Sequence, residues 1–339
     1  MAGETDMPLA VLTGHLDELA NDSLALWDLP PGSRARLINV SENHTYLVTA
    51  PDGARSVLRV HRENYHSRRA IECELAWSQA LGEETDLLTP GVHPGRDGQP
   101  IQQARHPALE NPRYMVLFEF VEGTAPSPDE DLVGPFRELG QISAQTHLHS
   151  MRWRRPEPFE RLVWDLDTIF GPQATWGDWR AAPNVTPQIR ALLERTEQAV
   201  RARLQAFGRG PERFGLIHAD MRLANLLIDG GATRLIDFDD CGLGWHLYDF
   251  ATGISFMEDH PQVGALKEAW TEGYQSVRPL SQAEIDEIDS FVMLRRMALL
   301  AWIGSHMEAP EPQELAPHFA AVTADLADAY LTRTPARTP

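Results

Sequence analysis

The sequence predicts an α+β chain, with a small β-rich N-terminal domain followed by a larger, mostly helical one. Three observations predict it. Short runs with period-two alternation dominate the first 120 residues, interrupted by a helix-length segment at 68–82. Beyond residue 124, apolar residues recur at helical spacing, as at Val133, Phe136, Leu139 and Ile142. Between two apolar runs in the second half lies a cluster of polar residues, His218, Asp220, Asn225 and Asp237, placed as loops place chemistry. A length of 339 residues accommodates two domains, drawn at 1–120 and 124–335.

Leu and Val at helical spacing over 8–27 stop at Pro30-Pro31-Gly32. Three β-like runs follow, Ala35–Val40, Thr45–Thr49 and Ser56–His61, the last two joined by the hairpin signal Pro51-Asp52-Gly53. Ser67 caps the helix expected at 68–82, which stops at Gly82. Residues 113–120, RYMVLFEF, form another strand, and Glu119–Gly123 reads as a hinge. A helix is expected at 131–149. A Trp- and Pro-rich connector follows, with Trp153, Trp164, Trp176 and Trp179; it reads as an aromatic insert packed on the second domain or as a flap over substrate. Further helices are expected at 187–206, 247–257, 262–276, 282–306 and 312–332, and a frayed tail from Arg333 to Pro339.

Lys plus Arg number 30 and Asp plus Glu 49, a formal charge of −19. Such a surface repels nucleic acid and anionic membrane and suits a cationic small molecule. Two cysteines, Cys73 and Cys241, are too few for a disulfide framework, and a reducing cytoplasm is the expected setting. The segment MAGETDMPLAVL lacks the basic-then-apolar order of a signal peptide. The apolar stretch Phe291–Ile303 is interrupted by Arg295 and Arg296 and is too short to span a bilayer. The sequence leaves the oligomeric state open.

Residues 218–225 read H-x-D-x-x-x-x-N, and Asp237 lies twelve residues on, closing the apolar pair Leu235-Ile236. Phosphoryl transfer needs positioning, a metal on the phosphates and a group that receives a hydroxyl proton. Asp220 fits the base. Asn225 and Asp237 offer the hard oxygens that suit Mg²⁺. Arg222 reads either as a cation that neutralises the γ-phosphate or as a loop-packing arginine. Asp239 reads equally as a ligand of metal or cationic substrate and as a solvated loop acid. His218 reads as structural, and Asp249 as a helix cap or a support beneath the catalytic loop. Asp239, Asp240, Glu258 and Asp259 together favour a cationic acceptor.

In the first domain Val57-Leu58-Arg59-Val60 has the form of a V-A-I-K strand with Arg59 at the lysine position. Val57 would roof the adenine and Arg59 would reach the α- and β-phosphates. Glu74 is the preferred ion-pair partner, with Glu72 the alternative. A G-x-G-x-x-G loop and a Walker A sequence are both absent; Ser41 and Asn43, with backbone amides, take the phosphate-loop role. Glu119 and Val121 at the hinge complete the nucleotide-binding set.

The phrases SENHTYLV, LRVHRENYHS, ECELAW, HADMRLANLL and IDFDDCGLGWHLYDFA resemble the protein-kinase-like phosphotransferases. That group includes aminoglycoside phosphotransferases, choline kinases and type II homoserine kinases. The wording is most similar to the branch holding type II homoserine kinases and stress-response kinase A, and the resemblance covers about residues 33 to 305. It implies a two-lobed kinase fold, ATP with Mg²⁺ in the cleft, and transfer of the γ-phosphate to a hydroxyl. Asp220 would then be the base and Asn225 and Asp237 the metal ligands. A small amino alcohol, amino acid or aminoglycoside-like acceptor is expected. A protein Ser/Thr acceptor, a non-catalytic nucleotide-binding module, and a phosphatase of the D-x-D-x-T/V type reading Asp237-Phe238-Asp239 are the rival readings.

Overall fold

A computed structural model describes residues 7–334, so the tail expected after Thr334 lies outside the described residues. The chain divides into two compact units. The first holds residues up to Glu84, Leu88–Glu122 and Arg155–Glu160; the second holds Thr85–Leu87, Gly123–Arg154 and Arg161 onward.

The first unit is an antiparallel sheet with a helix on each face. Its strands are β1 (Arg34–Val40), β2 (His44–Thr49), β3 (Arg55–Val60), β4 (Val92–His93), β5 (Gln102–Ala104) and β6 (Arg113–Glu119). The order is β1-β2-β3-β6-β4, with β5 also pairing β6. Period-two alternation divides the side chains between two cores. Leu58, Val60, Met115 and Leu117 pack with Leu12, Leu16 and Leu19 of α1 (Leu9–Ser23). Val57, Val116 and Phe118 pack with Ile71 and Leu75 of α2 (Arg68–Glu84). Arg59 therefore projects toward α2 and needs a partner there. Ser67 caps α2, accepting from the Ala70 amide at 3.0 Å.

The second unit is built on helices. α3 (Val133–Arg152) and α7 (Val263–Gln275) lie in close contact. Gly140 and Gly273 permit this approach: a Cβ at Gly140 would stand 2.1 Å from the Trp270 carbonyl, and one at Gly273 1.9 Å from the Arg137 carbonyl. Both obstacles are helix backbone, which cannot swing aside. Gly273→Ala is expected to destabilise the chain by about 3 kcal/mol, read by urea unfolding; an unchanged midpoint would show that the two helices separate freely.

Short strands shape the loops that carry function. β7 (Leu162–Trp164), β8 (Phe214–Ile217) and β11 (Gly242–Trp245) form a sheet in the order β7-β11-β8. β9 (Leu226–Asp229) and β10 (Ala232–Leu235) form a hairpin whose turn, Gly230-Gly231, has positive φ at both residues. α4 (Leu166–Phe170) and α5 (Pro187–Phe207) precede β8; α6 (Tyr248–Gly253), α8 (Gln282–Ile285), α9 (Ile288–Ser305) and α10 (Pro310–Arg333) complete the unit.

Two expected helices are shorter than the periodicity suggests. The one at 247–257 stops at Gly253, a poor helix former, and Phe256 then takes a φ of 70°. The one at 282–306 breaks at Asp286-Glu287 into α8 and α9. Arg333, expected in the tail, ends α10. Trp164, Trp176 and Trp179 are buried in the second unit, as an aromatic insert requires, while residues 155–160 belong with the first. No helix among the described residues is long and apolar enough to cross a membrane.

Candidate active site

The loop after β8 carries the H-x-D-x-x-x-x-N pattern, and its conformation is held by buried polar groups. Asp249 in α6 is completely buried and does not act as a simple cap. Its Oδ1 accepts from the Ala219 amide at 2.7 Å and its Oδ2 from the His218 amide at 3.2 Å. His147 of α3 lies 2.9 Å from the same Oδ2, and its other ring nitrogen is 2.9 Å from the Tyr274 hydroxyl. Thr252 accepts from the Met221 amide at 2.9 Å. These contacts hold Ala219 at a φ of 65°, a left-handed conformation an alanine does not choose unaided.

His218 ties the two functional loops together. Its Nδ1 accepts from the Asp220 amide at 3.3 Å, and its Nε2 donates to the Ile236 carbonyl at 3.2 Å. Its ring packs on Phe238 at 4.6 Å. A neutral imidazole satisfies both bonds, and burial holds its pKa below the usual range. Ile236 also donates to the Asn225 carbonyl at 3.0 Å, so Asp237, at a φ of 63°, follows directly from a strand tied to Asn225.

Asp220 is gripped on both oxygens. Oδ2 accepts from Asn225 Nδ2 at 2.7 Å, and that nitrogen also donates to the Asp220 carbonyl at 2.9 Å. The amide nitrogen of Asn225 is thereby committed, so its oxygen is the atom that can serve a cation. Oδ1 accepts from Arg295 Nη2 at 2.8 Å. Arg295, in the middle of α9 and 2% exposed, also donates from Nε to Ser255 at 3.0 Å, and its guanidinium lies 5.1 and 6.0 Å from the ring centres of Trp176 and Tyr248. In the sequence Arg295 stands out only as an interruption in an apolar stretch. The available signal was that a charge inside such a helix requires an acid partner.

Arg222 stands beside the base. Its Nε lies 3.5 Å from Asp220 Oδ2, and its Nη1 donates to Glu311, in the first turn of α10, at 3.0 Å. Asp237 acts electrostatically on the same guanidinium. The loop carrying Asp239 and Asp240 is fixed through its backbone: Arg161 donates to the Asp239 and Cys241 carbonyls and Trp164 Nε1 to that of Asp240, the latter at 2.8 Å. Asp239 is buried, which removes the solvated-acid reading. Glu258, expected to attract a cationic substrate, is instead buried against Arg296 at 2.5 Å. An apolar helix with two buried arginines has spent this carboxylate on one of them.

In the first unit Arg59 Nη1 donates to Glu74 Oε1 at 2.6 Å, and both side chains are buried. Glu72 instead pairs with Arg68 and Arg69 on the helix surface. Val57 is half-buried on the face of β3 that carries Arg59. Ser41 donates its amide to the Asn43 carbonyl, and Asn43 Oδ1 accepts from the Arg62 amide at 3.0 Å, so the β1–β2 turn is internally tied. Glu119 is exposed at the end of β6, its amide bonded to the Gly91 carbonyl, and Val121 lies two residues beyond.

Buried histidines make stability depend on pH. Burial holds His44 down to about 4, and holds His147, His218 and His246 below the ordinary value. Below about pH 6.5 the unfolded chain protonates these rings and the folded chain does not, so their contribution is lost as pH falls. Asp249 works the other way. Burial pushes its carboxyl up to about 6, so the folded chain keeps a proton there that the unfolded chain releases. The histidines outnumber it, and stability is expected to fall on acidification by about 1.4 kcal/mol per pH unit for each uncompensated ring. Melting temperatures at pH 7.5, 6.5 and 5.5 check this; a midpoint that holds or rises toward pH 5.5 contradicts it.

An antiparallel sheet with a buried Arg–Glu pair, followed by a helical unit with an acid, an amide and a second acid on adjoining loops, defines a kinase-like phosphotransferase. Residues 35–280 match the phosphotransferase enzyme family, and the chain belongs to that family. A solved structure of a microcompartment-associated aminopropanol kinase is 43% identical, covers 94% of this chain and 98% of its own, and superposes with a TM-score of 0.86. The amicoumacin kinase hAmiN, solved with AMP-PNP, Ca²⁺ and Ami, is 17% identical over 90% of this chain and 91% of its own, with a TM-score of 0.74. A homoserine kinase of Neisseria meningitidis serogroup B is 40% identical over 74 residues, 21% of this chain and 24% of its own length. The two-lobed kinase-like fold and the phosphotransferase class stand on these likenesses; a non-catalytic module and a D-x-D-x-T/V phosphatase do not.

Proposed function

We propose that this enzyme transfers the γ-phosphoryl group of ATP, with Mg²⁺, to the hydroxyl of a small amino alcohol. The observation that carries the acceptor class is the 43% identity, over nearly the full length of both chains, to an aminopropanol kinase. The gripped carboxylate of Asp220 supports the chemistry.

Asp220 is assigned as the base. Arg295 and Asn225 prevent its carboxylate from rotating, so the acceptor hydroxyl meets an acid of fixed orientation. The hydroxyl oxygen bonds to the γ-phosphorus as the bridge to the β-phosphate breaks, and the hydroxyl proton passes to Asp220. Asn225 Oδ1 and the Asp237 carboxylate fit a hard divalent cation, which when bound neutralises charge on the phosphates. Arg222, aligned beside Asp220, is assigned to the transferring group. For the nucleotide, Arg59 is assigned to phosphate oxygens and oriented by Glu74. Val57 is assigned to the base, Ser41 and Asn43 to the phosphate turn, and Glu119 and Val121 to the segment after β6.

The test is ATP-dependent phosphorylation across a panel of amino alcohols, homoserine, aminoglycosides and a casein-like protein. Labelling of amino alcohols supports the proposal. Labelling of protein alone replaces it with the Ser/Thr kinase reading.

A further inference from the structure

We propose that Glu311 is the docking group for the ammonium of the acceptor, and that Arg222 vacates it when the phosphoryl donor arrives. The inference rests on the amino-alcohol reading above and names the residue that selects the amine.

One guanidinium bridges the proposed base and Glu311. Arg222 Nη1 donates to both Glu311 oxygens, at 3.0 and 3.3 Å, while Nε sits 3.5 Å from Asp220 Oδ2. That Nε–H is buried and makes no hydrogen bond. A buried donor left without a hydrogen bond is costly, and its nearest acceptor, Asp220 Oδ2 at 3.5 Å, is too distant to satisfy it, so a closer acceptor atom would complete the arrangement. A γ-phosphoryl oxygen supplies one, in the planar fork geometry that arginine offers phosphate. As Arg222 turns to it, Glu311, whose side chain is 44% exposed, loses its cation.

An amino alcohol fits the gap thus opened. Asp220 and Glu311 lie on two edges of the same guanidinium, so they are separated by its width and two polar contacts. A molecule with a hydroxyl and an ammonium on neighbouring carbons, bonded at each end through a contact of about 2.8 Å, has a similar span. The hydroxyl meets Asp220 and the ammonium meets Glu311. The ammonium is unchanged by the reaction; only the O–H and phosphoanhydride bonds break.

Phe256 supplies a second observation. Its ring lies 5.8 Å from the Arg222 guanidinium and 5.7 Å from Trp302, and its backbone is held at a φ of 70°. A bulky residue in the left-handed region is costly and clusters at ligand clamps. Here it presents an aromatic wall beside the exchanging cation, suited to a second cation in its place.

The experiment is steady-state kinetics of Glu311→Gln and Glu311→Asp with 1-amino-2-propanol and with 1,2-propanediol, its neutral counterpart. The expected result for Glu311→Gln is a KM for the amino alcohol raised about tenfold, an unchanged KM for ATP, and loss of the preference for amine over diol. Glu311→Asp restores part of that preference. A purely structural role for Glu311 would depress both acceptors equally, and that result overturns the inference while leaving the amino-alcohol reading intact. A wild-type enzyme that phosphorylates no amino alcohol overturns both.

Discussion

Asp220→Asn is expected to lower kcat by roughly 10²- to 10⁴-fold, the range over which a positioned general base contributes. The substitution keeps the shape of the side chain. It removes the charge that Arg295 and Arg222 complement and leaves a weak proton acceptor facing the hydroxyl. Nucleotide affinity is expected to hold, since the carboxylate is assigned to the acceptor and not to ATP. Single-turnover measurements separate the two: the chemical step slows while ATP binding stays constant. Near-normal turnover in this variant would show that the proton leaves by another route.

The second large effect is expected at Arg295, a residue assigned no contact with substrate. Arg295→Met keeps most of the length and the apolar packing against Trp176 and Tyr248 but removes the donor to Asp220 Oδ1 and to Ser255. The partner carboxylate is largely sheltered, and taking away one half of such a pair is expected to destabilise the chain by about 3 kcal/mol. A freed carboxylate also rotates, so kcat is expected to fall about tenfold or more. A positioning role predicts more than lost stability. The loss is expected in kcat while the KM for ATP is unchanged, and Arg295→Lys is expected to recover part of both stability and kcat. A variant that loses stability but keeps kcat would make Arg295 structural only.

What could be read from the sequence depended on how far apart the partners lie along the chain. His218, Asp220 and Asn225 fall within one loop, and Asp237 follows a single hairpin, so their spacing carried the chemistry directly. Arg59 and Glu74 are separated by one strand-to-helix passage, and the alternation of β3 already pointed Arg59 toward α2. Arg295 lies 75 residues from Asp220, and the pairing depends on how α9 threads through the second unit. The same holds for Arg296 and Glu258, 38 residues apart, where proximity in sequence to the metal-site acids suggested a role that burial denies. Asp249 was legible as support for the loop, but its link to His147 and Tyr274 was not, because three separate helices provide the groups. Strands of three or four residues, β7 and β11, were missed because their stability comes from pairing with each other and not from local propensity.

The most direct measurement of the central claim is ³¹P NMR of wild type and Asp220→Asn incubated with ATP, Mg²⁺ and 1-amino-2-propanol. The expected result for wild type is a new phosphomonoester signal that grows as the γ-phosphate signal of ATP declines, with both changes nearly abolished in the variant. ATP loss into inorganic phosphate alone, or equal phosphomonoester formation by both proteins, would contradict the account.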